Sequence, residues 1–342
     1  SGSFNAEYGQ AMSGIVNIVT DEGSNDFGFN MDIYLGDYIS RHSDIFRNIE
    51  DVDFLNSTEN QNFNIQGSII KDKLFYYISG RYIYYQGVHE GIRIYNPQSY
   101  GYQLENLETG DEYWHVLGSD YSNDVYVNNI ECGGPLNCGE SSDFYLENLL
   151  NAHTIPNPIG DNKFIPMDWN LKKYSQFNLI FKPFNNMKIK YSHFTDNVSF
   201  QDYDRYYQLN PDGNLSKYRF GQTNMFQVNY TFNKNSYLSL GIIDYKKEYK
   251  HFAYNNLSNY VHNDLNNQNI PTYSYSVGGL NQNRFKRETI SNTFKLDYIN
   301  QINNIHQFKV GVEYRKHSIF YEDINLQYYV DGGFNPIYDN PF

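Results

Sequence analysis

The feature that most constrains this chain is an alternation of apolar and polar side chains, which recurs in pairs of segments joined by short polar turns. Such alternation is typical of a β-strand with one apolar face. In the clearest pair, Phe177, Leu179 and Phe181 precede a turn at 183–186, and the alternation resumes with Met187 and Ile189. Two amphipathic strands joined by a short polar turn predict a β-hairpin.

The same design occurs three more times, and one further alternating strand precedes the first hairpin. The pattern therefore predicts about nine strands up to Glu322. Long polar connections separate the hairpins, so that short and long connections alternate, as they do in outer-membrane barrels. The additional hairpins span 63–84, 226–242 and 294–314, the preceding strand spans 27–35, and the long connections lie near 38–60, 87–172, 197–222 and 251–285.

The composition favours a membrane barrel over a soluble β protein. The 342 residues include 35 Tyr and 24 Phe, whereas aliphatic residues are modest in number. A transmembrane barrel has such a profile because only its outward face meets lipid, and aromatic residues gather at the membrane interfaces. No segment approaches the roughly 20 apolar residues of a membrane-spanning helix. The alternative is a soluble antiparallel sheet in which tyrosines pack across strands.

Charge and motifs exclude several functional classes. The net charge of −13 and the absence of a Lys/Arg cluster argue against nucleic acid as a partner. No nucleophile elbow, phosphate-binding loop or dinucleotide fingerprint is present, so we predict no enzyme and no cofactor. We also predict no metal site, because the histidines are scattered and segment 210–214 has the residues of a turn rather than of a calcium loop.

The two cysteines, Cys132 and Cys138, lie close together in the longest connection. This spacing suits a small disulfide-closed loop in an oxidising compartment. Two free thiols or metal ligands remain the alternatives.

The longest connection also carries aromatic residues among polar ones. Exposed aromatics in a polar loop suit the binding of sugars, peptides or siderophores. The alternative is that these side chains pack the loop against itself. The candidate ligand-binding residues are Tyr113, Trp114, Tyr121, Tyr126 and Trp169.

Residues 4–20 do not follow the alternating pattern. They contain an aromatic-glycine step, a small-residue turn and a short apolar strand with a central asparagine. This order resembles the end of the plug domain of TonB-dependent outer-membrane receptors, and segment 69–77 is similar to the first periplasmic hairpin of their Oar-like branch. The positions that carry the plug-end motif are Tyr8, Gly9, Gly14, Asn17 and Thr20.

The resemblance implies a fold and a division of the chain. Residues 1–22 are expected to be the C-terminal end of a plug domain. Residues 23–342 are expected to form the N-terminal part of a transmembrane, antiparallel, up-and-down β-barrel, which is all-β and has long extracellular loops. Because barrels of this family have about 22 strands around a plugged lumen, the chain is expected to be a piece of a larger protein.

The resemblance also implies a function. The chain is expected to belong to a receptor in the outer membrane of a Gram-negative-type bacterium that imports a nutrient such as a siderophore, glycan or peptide. Its expected partners are outer-membrane lipid, the extracellular ligand and a TonB-type energy-coupling complex that acts through a more N-terminal part. The alternatives are a passive porin or channel and a surface adhesion or structural β protein.

Overall fold

The computed structural model describes residues 21–42, 57–105, 112–116, 153–156, 159–260, 275–329 and 333–338. Within these ranges the protein is mostly β-strand, and ten strands form one antiparallel sheet. The sheet strands are β1 (Gly28–Gly36), β2 (Thr58–Ile70), β3 (Leu74–Gln86), β9 (Trp169–Phe184), β10 (Met187–Gln201), β11 (Ser216–Asn233), β12 (Ser236–Phe252), β13 (Asn283–Gln301), β14 (Gln307–Tyr329) and β15 (Gly333–Tyr338).

The order of the strands confirms the predicted hairpins. The strands of the large sheet lie side by side in chain order, each antiparallel to its neighbours, which is the up-and-down arrangement. The four predicted hairpins are β2–β3, β9–β10, β11–β12 and β13–β14. The nine strands predicted up to Glu322 are β1, β2, β3 and the six strands from β9 to β14. A short tenth strand, β15, pairs with the outer end of β14. The described strands form an open sheet that is not closed into a barrel.

Three predicted loop boundaries were wrong, because the strands run further than the alternation does. β10 ends at Gln201 and β11 begins at Ser216, so much of the predicted connection 197–222 is paired strand. Likewise, β9 begins at Trp169, inside the predicted connection 87–172. Towards these strand ends both faces carry many polar side chains, so the apolar signal stops while backbone pairing continues.

The short turns lie at one end of the sheet, and the long connections lie at the other, which we call the loop end. Smaller elements occupy the loop end, where a two-stranded and a three-stranded sheet accompany four short 3₁₀ helices. The small strands are β4 (Glu90–Ile92), β5 (Tyr100–Glu105), β6 (Glu112–Val116), β7 (His153–Pro156) and β8 (Phe164–Pro166), and the 3₁₀ helices are Pro97–Ser99, Arg205–Tyr207, Pro211–Gly213 and Leu257–Asn259.

Three of the loops interlock at the loop end. The turn predicted at 210–214 is present as a 3₁₀ turn preceded by Asn210, which is fully buried. The Asn210 amide donates to Ser276 Oγ at 3.0 Å and to the Gly279 carbonyl at 2.8 Å. Arg93 Nε lies 2.8 Å from the Asp212 carboxylate. These contacts join the three loops to one another at the loop end.

No helix in the described part of the chain has the length and apolar character needed to cross a bilayer.

Candidate functional site

One face of the large sheet carries an exposed apolar surface. Residues paired across neighbouring strands share a face, and Tyr191, Phe226, Ile242, Phe294 and Tyr314 are paired in succession from β10 to β14. Tyr314 is 64% exposed and Ile242 is 46% exposed. We call the apolar positions of this face the apolar band: Phe29, Met31, Ile33, Leu35, Phe63, Ile65, Tyr76, Ile78, Phe177, Leu179, Phe181, Ile189, Tyr191, Phe226, Val228, Tyr230, Leu238, Leu240, Ile242, Phe294, Leu296, Tyr298, Phe308, Val310, Val312 and Tyr314.

The band crosses nine strands without a second layer of secondary structure against it among the described residues. A contiguous apolar surface of this extent is rare on a soluble monomer, and it marks contact with another protein or with a membrane.

The apolar band shifts along the strands as it crosses the sheet. On β1 the apolar band is centred near Met31. When the directly paired residues are followed from each strand to the next, eight steps lead from Met31 to Ser318 on β14. On β14, however, the band is centred near Gly311, about seven residues from Ser318. The rise is about 3.3 Å per residue and the spacing between strands is about 4.8 Å. If the apolar band lies in one plane, this shift means that the strands are tilted by roughly 30° from the normal to that plane.

The opposite face is mainly polar, and we call it the polar face. Residues 21–25, which lead into β1, cross this face from β10 to the β2–β3 turn. The positions that define the polar face include Asn62, Asn64, Gln176, Asn178, Lys188, Lys190, Gln227, Thr293, Lys295 and Glu313.

The segment 21–25 is attached to the sheet at both of its ends. The amide of Asn178, a fully buried residue, donates to the Asp21 carbonyl at 2.5 Å. Glu22 forms ion pairs with Lys188 and, at 3.3 Å, with Lys190. At the other end, the Asn25 amide donates to the Asp72 carboxylate at 2.6 Å, and the Asp72 backbone amide donates back to the Asn25 side chain at 2.9 Å.

The electrostatics of this attachment favour an ionised Glu22. Partial burial acts to raise the pKa of the Glu22 carboxyl, but the hydrogen bonds and charges of Lys188 and Lys190 outweigh burial and lower the pKa below its usual value of 4.5. The folded protein therefore binds the Glu22 proton less tightly than the unfolded chain does. The contribution of Glu22 to the attachment is present above about pH 4.5 and is lost as the pH falls through the lowered value.

Acidification is thus expected to release segment 21–25 from the polar face. Hydrogen exchange of backbone amides 21–25 in the full-length protein, corrected for intrinsic rates, should show less protection below about pH 4.5 than at pH 6. Glu22→Gln should have lower protection at pH 6 and little change with pH. Asp26→Asn, which alters an exposed neighbouring carboxylate, should behave like the unmodified protein. A pH response that survives in Glu22→Gln would contradict this assignment.

The loop end contains an open cavity of about 460 Å³ at the outer ends of β10 and β11. Lys217 Nζ donates to Asp202 at 2.5 Å, and the Arg205 guanidinium lies 4.6 Å from the Tyr275 ring centroid. Balanced charges and aromatic rings provide hydrogen-bonding groups and stacking surfaces for a polar ligand. The cavity is lined by Asp202, Tyr203, Asp204, Arg205, Asn214 and Lys217, among others.

The aromatic side chain of Tyr203 has a fixed position beside this cavity. Its ring stacks on His89 with centroids 4.6 Å apart, and His89 Nδ1 lies 3.3 Å from the Asp168 carboxylate. Nearby, burial raises the pKa of Tyr254 to about 12, and the negative charge of Asp212 acts in the same direction. The loop end therefore presents a stacked aromatic ring beside polar groups.

The structure places only some of the residues predicted to bind a ligand. Trp169 begins β9, half-buried, and its indole N–H donates to Gln201 at 3.0 Å. Its register with Gln201 puts it on the face of the apolar band. Tyr113 and Trp114 lie in β6, opposite β5. Tyr121 and Tyr126 lie outside the described residues, as do Cys132, Cys138 and the plug-end positions Tyr8, Gly9, Gly14, Asn17 and Thr20.

Sequence reasoning missed the attachment of segment 21–25 and the cavity. A signal for the first was present, because Lys188 and Lys190 alternate with Ile189 and so had to lie on the polar face. Nothing in the local sequence indicated that Glu22 would meet them. No group of three or more His, Cys, Asp or Glu side chains in the described ranges is arranged to hold a metal ion.

Comparison of the chain with protein-family models, with curated proteins and with solved structures found no match in any of the three.

Proposed function

We propose that this chain is part of an outer-membrane receptor of the TonB-dependent type, which takes up a nutrient ligand by energy-coupled transport. In this proposal the large sheet is a sector of a transmembrane β-barrel, the apolar band faces lipid and the polar face lines the lumen. The observation that carries the proposal is the exposed apolar band, which runs across nine strands opposite a polar face.

The shift of the apolar band supports a membrane location. A level apolar belt on a tilted sheet has to move along the strands from one strand to the next. The observed shift corresponds to a tilt of roughly 30°, close to the 35–45° range of transmembrane barrels. A sheet packed on a soluble partner has no reason to keep such a belt level across nine strands.

The path of segment 21–25 supports a plugged barrel over an open pore. This segment runs along the polar face before β1, and Glu22 is held there by two lysines. In this proposal, segment 21–25 therefore enters β1 from the lumenal side, where a plug would lie. Together with the plug-end resemblance of residues 4–20, this path favours the receptor over a passive channel.

The loop end is the proposed site of ligand contact. Its cavity lies at the end of the sheet opposite the short turns, which corresponds to the extracellular side in this proposal. The hydrogen bonds of the Asn210 amide to Ser276 and Gly279 join the two loops that contribute residues to the cavity. The chemistry of the lining suits a polar ligand, and a siderophore, a glycan and a peptide all remain candidates.

A membrane test on the full-length protein decides between this function and a surface β protein. The protein is expected in the outer-membrane fraction, and its gel mobility should change when it is heated in detergent, because folded barrels resist detergent at low temperature. Recovery as a soluble protein with unchanged mobility would overturn the proposal. Energy-dependent uptake that is lost when the region before residue 21 is deleted would separate a receptor from a passive channel.

A further inference from the structure

Four polar side chains form a hydrogen-bonded row on the face of the apolar band. His193 Nδ1 donates to Asn224 Oδ1 at 2.7 Å, and the Asn224 amide lies 3.4 Å from the Asp244 carboxylate. The Asn292 amide donates to the other Asp244 oxygen at 2.9 Å. These residues are in register on β10, β11, β12 and β13. We call His193, Asn224, Asp244 and Asn292 the polar row.

The polar row lies immediately beyond the apolar band on the side of the loop end. Tyr191, Phe226, Ile242 and Phe294 are the band residues two positions away on the same four strands. On β3 and β9 the same register holds Ile78 and Phe177, which are apolar. The polar row is therefore confined to the strands on which the apolar band stops farther from the loop end, as expected for tilted strands.

Two lysines stand beside the polar row. Lys316 on β14 is in register with Asn292, is exposed, and forms no ion pair with a described residue. Lys246 follows Asp244 by two positions, so it shares the same face. Its side chain is 40% exposed and pairs with Glu288 at 2.8 Å. Both oxygens of the Asp244 carboxylate face amides of the row, at 2.9 Å from Asn292 and 3.4 Å from Asn224.

We propose that the polar row, with Lys246 and Lys316, docks the phosphate-bearing headgroup of a membrane lipid. This inference rests on the proposed function, since it needs the apolar band to lie in a bilayer. Headgroup phosphates sit just outside the acyl region, which is the height of the row. The ammonium groups of Lys246 and Lys316 and the amide of Asn292 are donors of the kind that bind phosphate, and these residues lie on three successive strands, β12 to β14. Continuity with the apolar band selects a lipid over a soluble phosphate.

Lipid selectivity tests the inference. The full-length protein, in phosphatidylcholine vesicles, would be offered spin-labelled phosphatidylglycerol or spin-labelled phosphatidylcholine, and the fraction of each label immobilised by the protein measured. We expect a preference for phosphatidylglycerol of about threefold or more. The double variant Lys246→Ala/Lys316→Ala should bring this preference close to one. The matched control Lys250→Ala/Lys286→Ala removes the same charge farther from the band on the same face and should keep the preference.

The outcomes separate the inference from the proposed function. No immobilisation of either label would mean that the protein is not embedded, which overturns both. Immobilisation without a preference, or an equal loss of preference in the two double variants, overturns the headgroup site alone. Competition by free inorganic phosphate would also overturn the headgroup site. The same holds if Lys246→Ala/Lys316→Ala alters self-association of the protein and leaves its lipid preference unchanged.

Discussion

A lysine in place of Leu240 is expected to impair folding of the protein into a bilayer severely, whereas a lysine at the next position, Gly241, should have little effect. Leu240 lies in the middle of the apolar band, in register with Val228 and Leu296. A lysine near the membrane midplane costs about 2–4 kcal/mol in transmembrane barrels. Unfolding by urea in phospholipid vesicles would measure this loss in the full-length protein.

Gly241 provides a matched control because it lies on the opposite face of the same strand. A Cβ atom at this position would have no heavy atom within 4 Å, so a side chain there has open space. Its register neighbours are Gln227 and Lys295, both polar. If Leu240→Lys and Gly241→Lys destabilise the protein equally, or if neither affects insertion, the apolar band does not face lipid.

The strands could be predicted because each long strand has one apolar and one polar face. That contrast produces the two-residue alternation around Phe177 and Leu179. A shift of one residue in the pairing register would have exchanged the two faces. The signal was lost near the loop end, where Asn197 pairs with Phe220 and Ser199 with Tyr218. There, backbone hydrogen bonds continue the strand, although the side chains no longer alternate in polarity.

The attachment on the polar face could not be predicted, because it joins residues far apart in the chain. Glu22 and Lys188 are separated by 166 positions, and Asn25 and Asp72 by 47. Which lysine on the polar face meets a given carboxylate depends on the path of residues 21–25 across the sheet. The hairpins specify the face of Lys188 and Lys190, but they do not specify what covers it.

The same reasoning applies to the loop end. Residues 202–215 have turn chemistry, and that alone predicts a loop rather than a cavity. The cavity depends on backbone contacts from other loops, such as Asn281 N–H to the Gly213 carbonyl at 2.8 Å and Ser276 N–H to the Tyr206 carbonyl at 2.6 Å. Since backbone groups are common to all residues, such pairings leave no signature in a single sequence.

An alanine in place of Gly23 is expected to detach segment 21–25 from the polar face. Gly23 has a φ of 81°, and a Cβ atom added there would lie 2.4 Å from the Tyr76 carbonyl oxygen. The left-handed conformation costs a residue with a Cβ about 1–2 kcal/mol, and the collision with the backbone of β3 adds to this cost. Hydrogen exchange at residues 21–25 should lose about tenfold or more in protection, since roughly 1.4 kcal/mol corresponds to a factor of ten.

The matched control is Ser24→Ala, because Ser24 is adjacent and its hydroxyl donates to the nearby Asp26 carbonyl at 3.0 Å and not to a strand of the sheet. This variant should retain the protection of the unmodified protein. In the proposed receptor, residues 21–25 join the plug to the first barrel strand, so Gly23→Ala should also raise passive leakage of small solutes through the pore in vesicles. If amide protection is lost and leakage does not rise, Gly23 is needed for the local contacts of residues 21–25, but these contacts do not retain the plug. Unchanged protection would contradict the role of Gly23.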